Sequence, residues 1–213
     1  MFGGINTSRL INSRNGNVDG DSNSNSNNSN NNDDDNNDDN DTRMLESTKN
    51  LLGVDKKGNQ RALFLYDGGW GVWKFLAGFV IERDSLDHFR FAPSQTNLAQ
   101  ELCQTYGMPS DVSTAVLFTE EKCAYIESDS ILRMFYPYLE FPYYFLGFTA
   151  LFLIPKVIRD FGYRLFAKNR GKIWIFFKKI TRMGDTAMHP YRDSVLGLEK
   201  EKTLPESWGF EER

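Results

Sequence analysis

The chain has 213 residues, 40% of them hydrophobic and 14% aromatic, with 25 Lys and Arg against 29 Asp and Glu, which suits one or two domains with a buried core. Charge is uneven: residues 1–50 hold nine acids and four bases, a balance of −5, and the other 163 residues stand at +1. A nearly neutral body argues against a nucleic-acid module, and two cysteines (Cys103, Cys123) with two distant histidines (His88, His189) argue against a disulfide framework or a metal site; no cofactor is expected.

Residues 1–17 have no apolar core of a secretory signal; they carry Arg9 and Arg14 and no acid, a composition compatible with a cytoplasmic protein or with a plastid or mitochondrial one. From Asp21 to Asp41 every residue is Asn, Asp or Ser. Such a segment has nothing to bury against the entropy of ordering, so residues 1–57 are expected to form a disordered tail.

Order is expected from about Arg61. ALFLY (62–66) is too short for a helix, is stopped by Asp67-Gly68-Gly69, and reads as a buried strand. Beyond the glycines, Trp73, Leu76, Ala77 and Val80 recur at helical spacing. HFRFAP alternates Phe89 and Phe91 with His88 and Arg90 as a second strand does. The next helix is expected after Ser94 as N-cap, with Leu98, Leu102 and Tyr106 one turn apart and Gly107 as its stop. Residues 114–118 and 122–126 read as an antiparallel hairpin, followed by a helix capped by Ser128 and ending near Pro137. Residues 155–168 place Val157, Ile158, Phe161, Leu165 and Phe166 on one side of a last helix. The order β-α-β-α-β-β-α predicts an α/β, thioredoxin-like sheet with helices on both faces and extra C-terminal helices, over residues 58–180, with an irregular extension over 181–213.

Phe141 to Ile154 is free of charge, but fourteen residues are too few for a span, and Glu140, Pro137 and Pro142 oppose a straight crossing. A buried or partner-covered helix is expected there, with membrane contact through Phe135 to Ile154 as the alternative.

A turn that leaves a central strand and enters a helix is the usual active edge of an α/β sheet, because unpaired backbone N–H groups there favour negative charge and lower a thiol's pKa. The blocks YDGGWGVWKFLAGFVIERD, HFRFAPSQT, TAVLF, ESDSILRM and IPKVIRDFGYRLFAKNR resemble the DCC family of thiol-disulfide oxidoreductases over about Leu63 to Arg170. That family is named for a D-x-x-C-x-x-C motif on a thioredoxin-like fold. The resemblance implies protein-disulfide reductase ancestry. Under it Asp67 and Gly71 keep their places, while the two cysteine positions hold Trp70 and Trp73 and the substrate-presenting position before TAVLF holds Ser113.

Indole cannot exchange disulfides. The expected catalytic set is therefore not intact (Asp67, Trp70, Trp73), and the expected binding set is Tyr66, Trp70, Trp73 and Ser113, with Lys74 and Arg90 as possible nearby cations. Trp70 and Trp73, at i and i+3, either fill the volume of the lost thiols or form an aromatic platform for a protein or peptide client. Asp67 is expected to cap the turn and Arg170 to neutralise a helix C-terminus. Three readings stay open: a degenerate binding module, a disulfide reductase working through Cys103 or Cys123, and a membrane-associated subunit.

Overall fold

The computed structural model describes residues 46–108, 114–120, 124–181 and 187–210. Its elements in chain order are the described part of a helix, α1 (46–52), then β1 (Ala62–Tyr66), α2 (Gly71–Ile81), β2 (Phe89–Pro93), α3 (Asn97–Thr105), β3 (Val116–Phe118), β4 (Ala124–Ile126), α4 (Glu127–Phe135), α5 (Tyr143–Leu153) and α6 (Lys156–Thr181), with two short 3-10 turns after them. Order thus reaches back to at least residue 46, earlier than Arg61, because Leu52 is buried against the core and Arg61 Nη1 donates to the Leu52 carbonyl at 3.2 Å.

The sheet runs β2-β1-β3-β4, with β1 parallel to β2 and antiparallel to β3, and β3 antiparallel to β4. This mixed α/β arrangement is the one expected of a thioredoxin-like core. Every residue of β1 is buried, as a strand covered on both faces requires. Phe64 and Tyr66 point, with Phe91 and Leu117, into one apolar cluster shared with α2, α4 and α6; Leu63 and Leu65 point, with Ala92 and Val116, into a second shared with α3.

Several local expectations are corrected. Thr96, not Ser94, caps α3: its hydroxyl accepts from the Ala99 N–H at 3.3 Å. Ser128 caps nothing; it lies inside α4 and donates to the Asp160 carboxylate of α6. Helix α6 does not stop at Lys168 but runs on to Thr181. Nor is α5 buried: only Gly147 is, at a close approach where an added Cβ would lie 2.8 Å from Phe135 Cβ, while Phe141 just before the helix is 76% exposed. No helix among the described residues is long and apolar enough to cross a membrane.

The C-terminal extension docks onto the domain. Met188, Val195, Leu198, Trp208 and Phe210 are buried in the first cluster, and the Leu196 N–H donates to the Phe91 carbonyl at 2.7 Å, closing the edge of β2. The acidic tail before residue 46 lies outside the described residues.

Candidate functional site

Because β1 and β2 are parallel, the turns that follow Tyr66 and Pro93 emerge side by side at one end of the sheet, where a site on an α/β fold is expected. Gln95 ties the two turns together. Its side-chain oxygen accepts from the Gly68 N–H at 3.2 Å, and its Nε2 donates to Asp67 Oδ1 at 2.8 Å. The same Oδ1 accepts from the Gly69 N–H at 3.1 Å, which holds the turn into α2. Asp67 Oδ2 pairs with Arg170 of α6 at 2.9 Å. Both oxygens of this buried carboxylate are thus engaged in holding the turn to Gln95 and to α6.

Trp70 and Trp73 do not form a shared platform. Trp70 is the residue that precedes the first turn of α2 and is 39% exposed, whereas Trp73, inside that turn, is 2% exposed and packs against Tyr163 and Phe166 at centroid distances of 6.4 and 5.9 Å. The step from extended backbone at Trp70 to helix sends the two indoles apart, which the i, i+3 rule for residues within one helix does not cover. Tyr66 is also withdrawn: it is fully buried, packs against Phe91, and burial alone raises its phenol above the ordinary range. Trp73 and Tyr66 are therefore core residues behind the turn and cannot touch a client. Ser113 and Cys123 lie outside the described residues.

The cation beside the turn is Arg170, with its guanidinium carbon 5.0 Å from the centre of the Trp70 ring. Lys74 is buried and donates to the Ser207 carbonyl at 2.7 Å, and Arg90 is drawn to Asp87 at 2.7 Å, ahead of its own strand. Since α6 continues past it, Arg170 stands in mid-helix and serves Asp67 and Trp70 rather than a helix C-terminus.

Two glycines fix the approach of α2 to α6. A Cβ on Gly171 would sit 2.7 Å from Trp70 Cζ3, and one on Gly71 would sit 2.3 Å from Trp174 Nε1. Each helix thus lays a tryptophan over a glycine of the other, Trp70 on Gly171 and Trp174 on Gly71. Gly171, Trp174 and Gln95 were not singled out from the sequence. Their roles depend on partners in other elements, Trp70 and Gly71 for the first two and Asp67 for Gln95, which no local spacing announces.

Beside the turn, in front of β3, the Ala115 N–H donates to Tyr163 Oη at 3.0 Å, so α6 also anchors the segment where the substrate-presenting loop is expected. Cys103 lies on α3 in the cluster on the opposite face of the sheet from α2, and burial pushes its thiol up to about 11. Among the described residues no group of three or more His, Cys, Asp or Glu is placed to hold a metal ion.

The family model described as DCC1-like thiol-disulfide oxidoreductase matches residues 64–176. The chain is 30% identical over 110 residues to the uncharacterized protein YuxK of Bacillus subtilis, covering 52% of this chain and 78% of that protein. It is likewise 30% identical over 113 residues to a chloroplastic DCC family protein of Arabidopsis thaliana, covering 53% of this chain and 64% of that one. No solved structure matches it significantly.

Proposed function

The chain belongs to the DCC1-like thiol-disulfide oxidoreductase family, and from that premise we propose that it is a degenerate member, which binds a protein or peptide client at the Trp70 turn and carries out no dithiol exchange there. The observation that carries this reading is the pairing of an exposed Trp70 with the absence of any thiol between Asp67 and Lys74. A nucleophilic sulfur at a helix start is what the family chemistry needs, and an indole offers a contact surface instead. Trp70, in contact with Arg170 and Gly171 of α6, leaves 39% of its surface open to solvent next to the N-terminus of α2, where no acidic side chain occupies the first turn. A client that lays an apolar side chain on the indole and turns a carbonyl or carboxylate toward the helix start meets both features.

A reductase working through Cys103 has little support, because that thiol is buried on the far face of the sheet and its raised pKa keeps it protonated at neutral pH. The chloroplastic name of the Arabidopsis relative supports an organellar location for this chain, to be checked by fractionation of tagged full-length protein.

Two measurements test the reading. In an insulin-reduction assay the protein and its Cys103→Ser/Cys123→Ser variant should be equally inactive; activity that disappears in the variant would return the chain to the enzymes. On an array of tiled peptides, Trp70→Ala should lose the bound set while its far-ultraviolet circular dichroism stays that of the folded parent, with a lower melting temperature because part of the ring packs on Gly171 and Arg170. Retention of the same peptides by Trp70→Ala overturns the assignment.

A further inference from the structure

We propose that the outer surface of α5 and α6 is a docking face for an anionic lipid bilayer, on which the domain lies without crossing it. Of the five apolar residues that the periodicity of α6 sends to one side, Phe166 packs on Trp73 and the other four are turned to solvent: Val157 is 81% exposed and Phe161 68%, and Ile175 and Phe176 continue the stripe two turns beyond Lys168. On α5, Phe145 and Leu153 are exposed in the same way, and no charged residue interrupts the helix. Large exposed apolar faces of this kind mark sites that another phase or partner covers.

Charge identifies the occupant. From Phe141 to Thr181 the chain holds eight bases and a single acid, Asp160; Lys156, Arg159, Arg164 and Arg170 are paired with Asp129, Glu127 and Asp67 on the inner side, which leaves the excess positive charge to the lysines from Lys168 onward. Asp160 is buried and engaged by Ser128 and Lys156, so the stretch itself sets no negative group against an approaching anionic surface. Lys168, Lys172 and Lys179 are exposed within the apolar stripe itself. A lysine among exposed Phe and Ile residues is poorly suited to a dry protein interface, but in a headgroup layer its stem lies with the acyl chains and its ammonium reaches the phosphates. A second copy of the chain would bring a like-charged face against this one across a two-fold axis, which disfavours self-association. Neither helix is suited to crossing: α5 has 11 residues, too few for a span, and α6, with 26, is broken throughout by charge.

The test is flotation of the full chain with vesicles of phosphatidylcholine alone and of phosphatidylcholine with roughly one third phosphatidylglycerol, alongside sedimentation velocity. Flotation is expected with the anionic vesicles only, and it should fall when salt is raised to roughly 0.5 M. Val157→Glu/Phe161→Glu and, separately, Lys168→Glu/Lys172→Glu should each lower the partition coefficient about tenfold or more with an unchanged melt, since all four side chains face solvent. Equal flotation on both vesicle types, or none on either, overturns the proposal. A concentration-dependent dimer abolished by Val157→Glu/Phe161→Glu also overturns it and gives the face to a second copy.

Discussion

In α2 the apolar positions Trp73, Ala77 and Val80 are buried against the sheet, whereas in α6 the apolar positions Val157, Ile158, Phe161 and Leu165 face solvent and the side turned inward is Asp160, Tyr163 and Trp174. Helical spacing identifies a two-sided helix, but it does not say which side meets the core. For α2 the sheet beneath is wholly apolar and bulk burial decides. Helix α6 is attached instead through individual contacts: Tyr163 to the Ala115 N–H, Asp160 to Ser128, Arg170 to Asp67, and Trp174 on Gly71. Specific polar and close-packed contacts supplement the aromatic contacts of Tyr163 and Phe166 on Trp73 and of Trp174 and Phe177 on Phe75, and the rest of the apolar stripe is left on the outside.

The sharpest way to break that contrast is to truncate one side chain on each helix. Trp73→Ala should cost about 3–5 kcal/mol in a guanidinium unfolding experiment, as removal of a large buried ring does, while Phe161→Ala should stay within about 0.5 kcal/mol. Equal losses would mean that the exposed stripe supports the fold after all. Next in size is Gly71→Val, which drives a side chain into the Trp174 ring and should cost about 1–3 kcal/mol; added to Trp174→Ala it should cost less than it does alone. Absence of coupling in that cycle would separate α2 from α6. Asp67→Ala removes the acceptor of Gly69, Gln95 and Arg170 together and should cost about 1–3 kcal/mol, with part of the loss recovered when Arg170→Leu is added.

The smallest effect is the one carried by pH. Burial works against the charged form of Asp160, but hydrogen bonds from Lys156 and Ser128 outweigh it and hold its carboxyl below the ordinary range. Asp87 is lowered chiefly by Arg90 and then by Arg61. Asp55 is lowered too: desolvation opposes its charge, and His88, Asn59 and Lys57 donate enough to prevail. A folded-state pKa below the unfolded one stabilises above the ordinary carboxylate value, near ~3.9, and that stability is lost as pH falls through the folded value. Urea midpoints should therefore be flat from neutrality to about pH 5 and fall below ~4, with Asp160→Asn showing a shallower fall than the parent.

Much of the sheet was legible, because five consecutive apolar residues before Asp67-Gly68-Gly69 and the Phe89, Phe91 alternation leave few alternatives to strands. The length of α6 was not. Asn169-Arg170-Gly171 looks like a helix stop, yet Gly171 is small to admit Trp70 and not to reverse the chain, a reason that exists only once α2 lies alongside. The cap of α3 was misplaced by two residues because Ser94 and Thr96 are both hydroxyl residues that suit an N-cap, and the choice falls to Thr96 while Gln95 between them is drawn into the bridge to Asp67. At the turn, the capping role of Asp67 toward the Gly69 N–H was legible. The burial of Tyr66 and Trp73 was not, since their distance from solvent depends on how Phe91 and Phe166 close over them.

The hydrogen bond from Lys74 to the Ser207 carbonyl, and Trp208 resting against Gly68, join residues more than a hundred positions apart. On a translating ribosome, α2 and the loop ahead of it are made long before their last support leaves the exit tunnel. The growing protein therefore carries its first hydrophobic layer open on that flank until the segment around Trp208 has been made and can close over it.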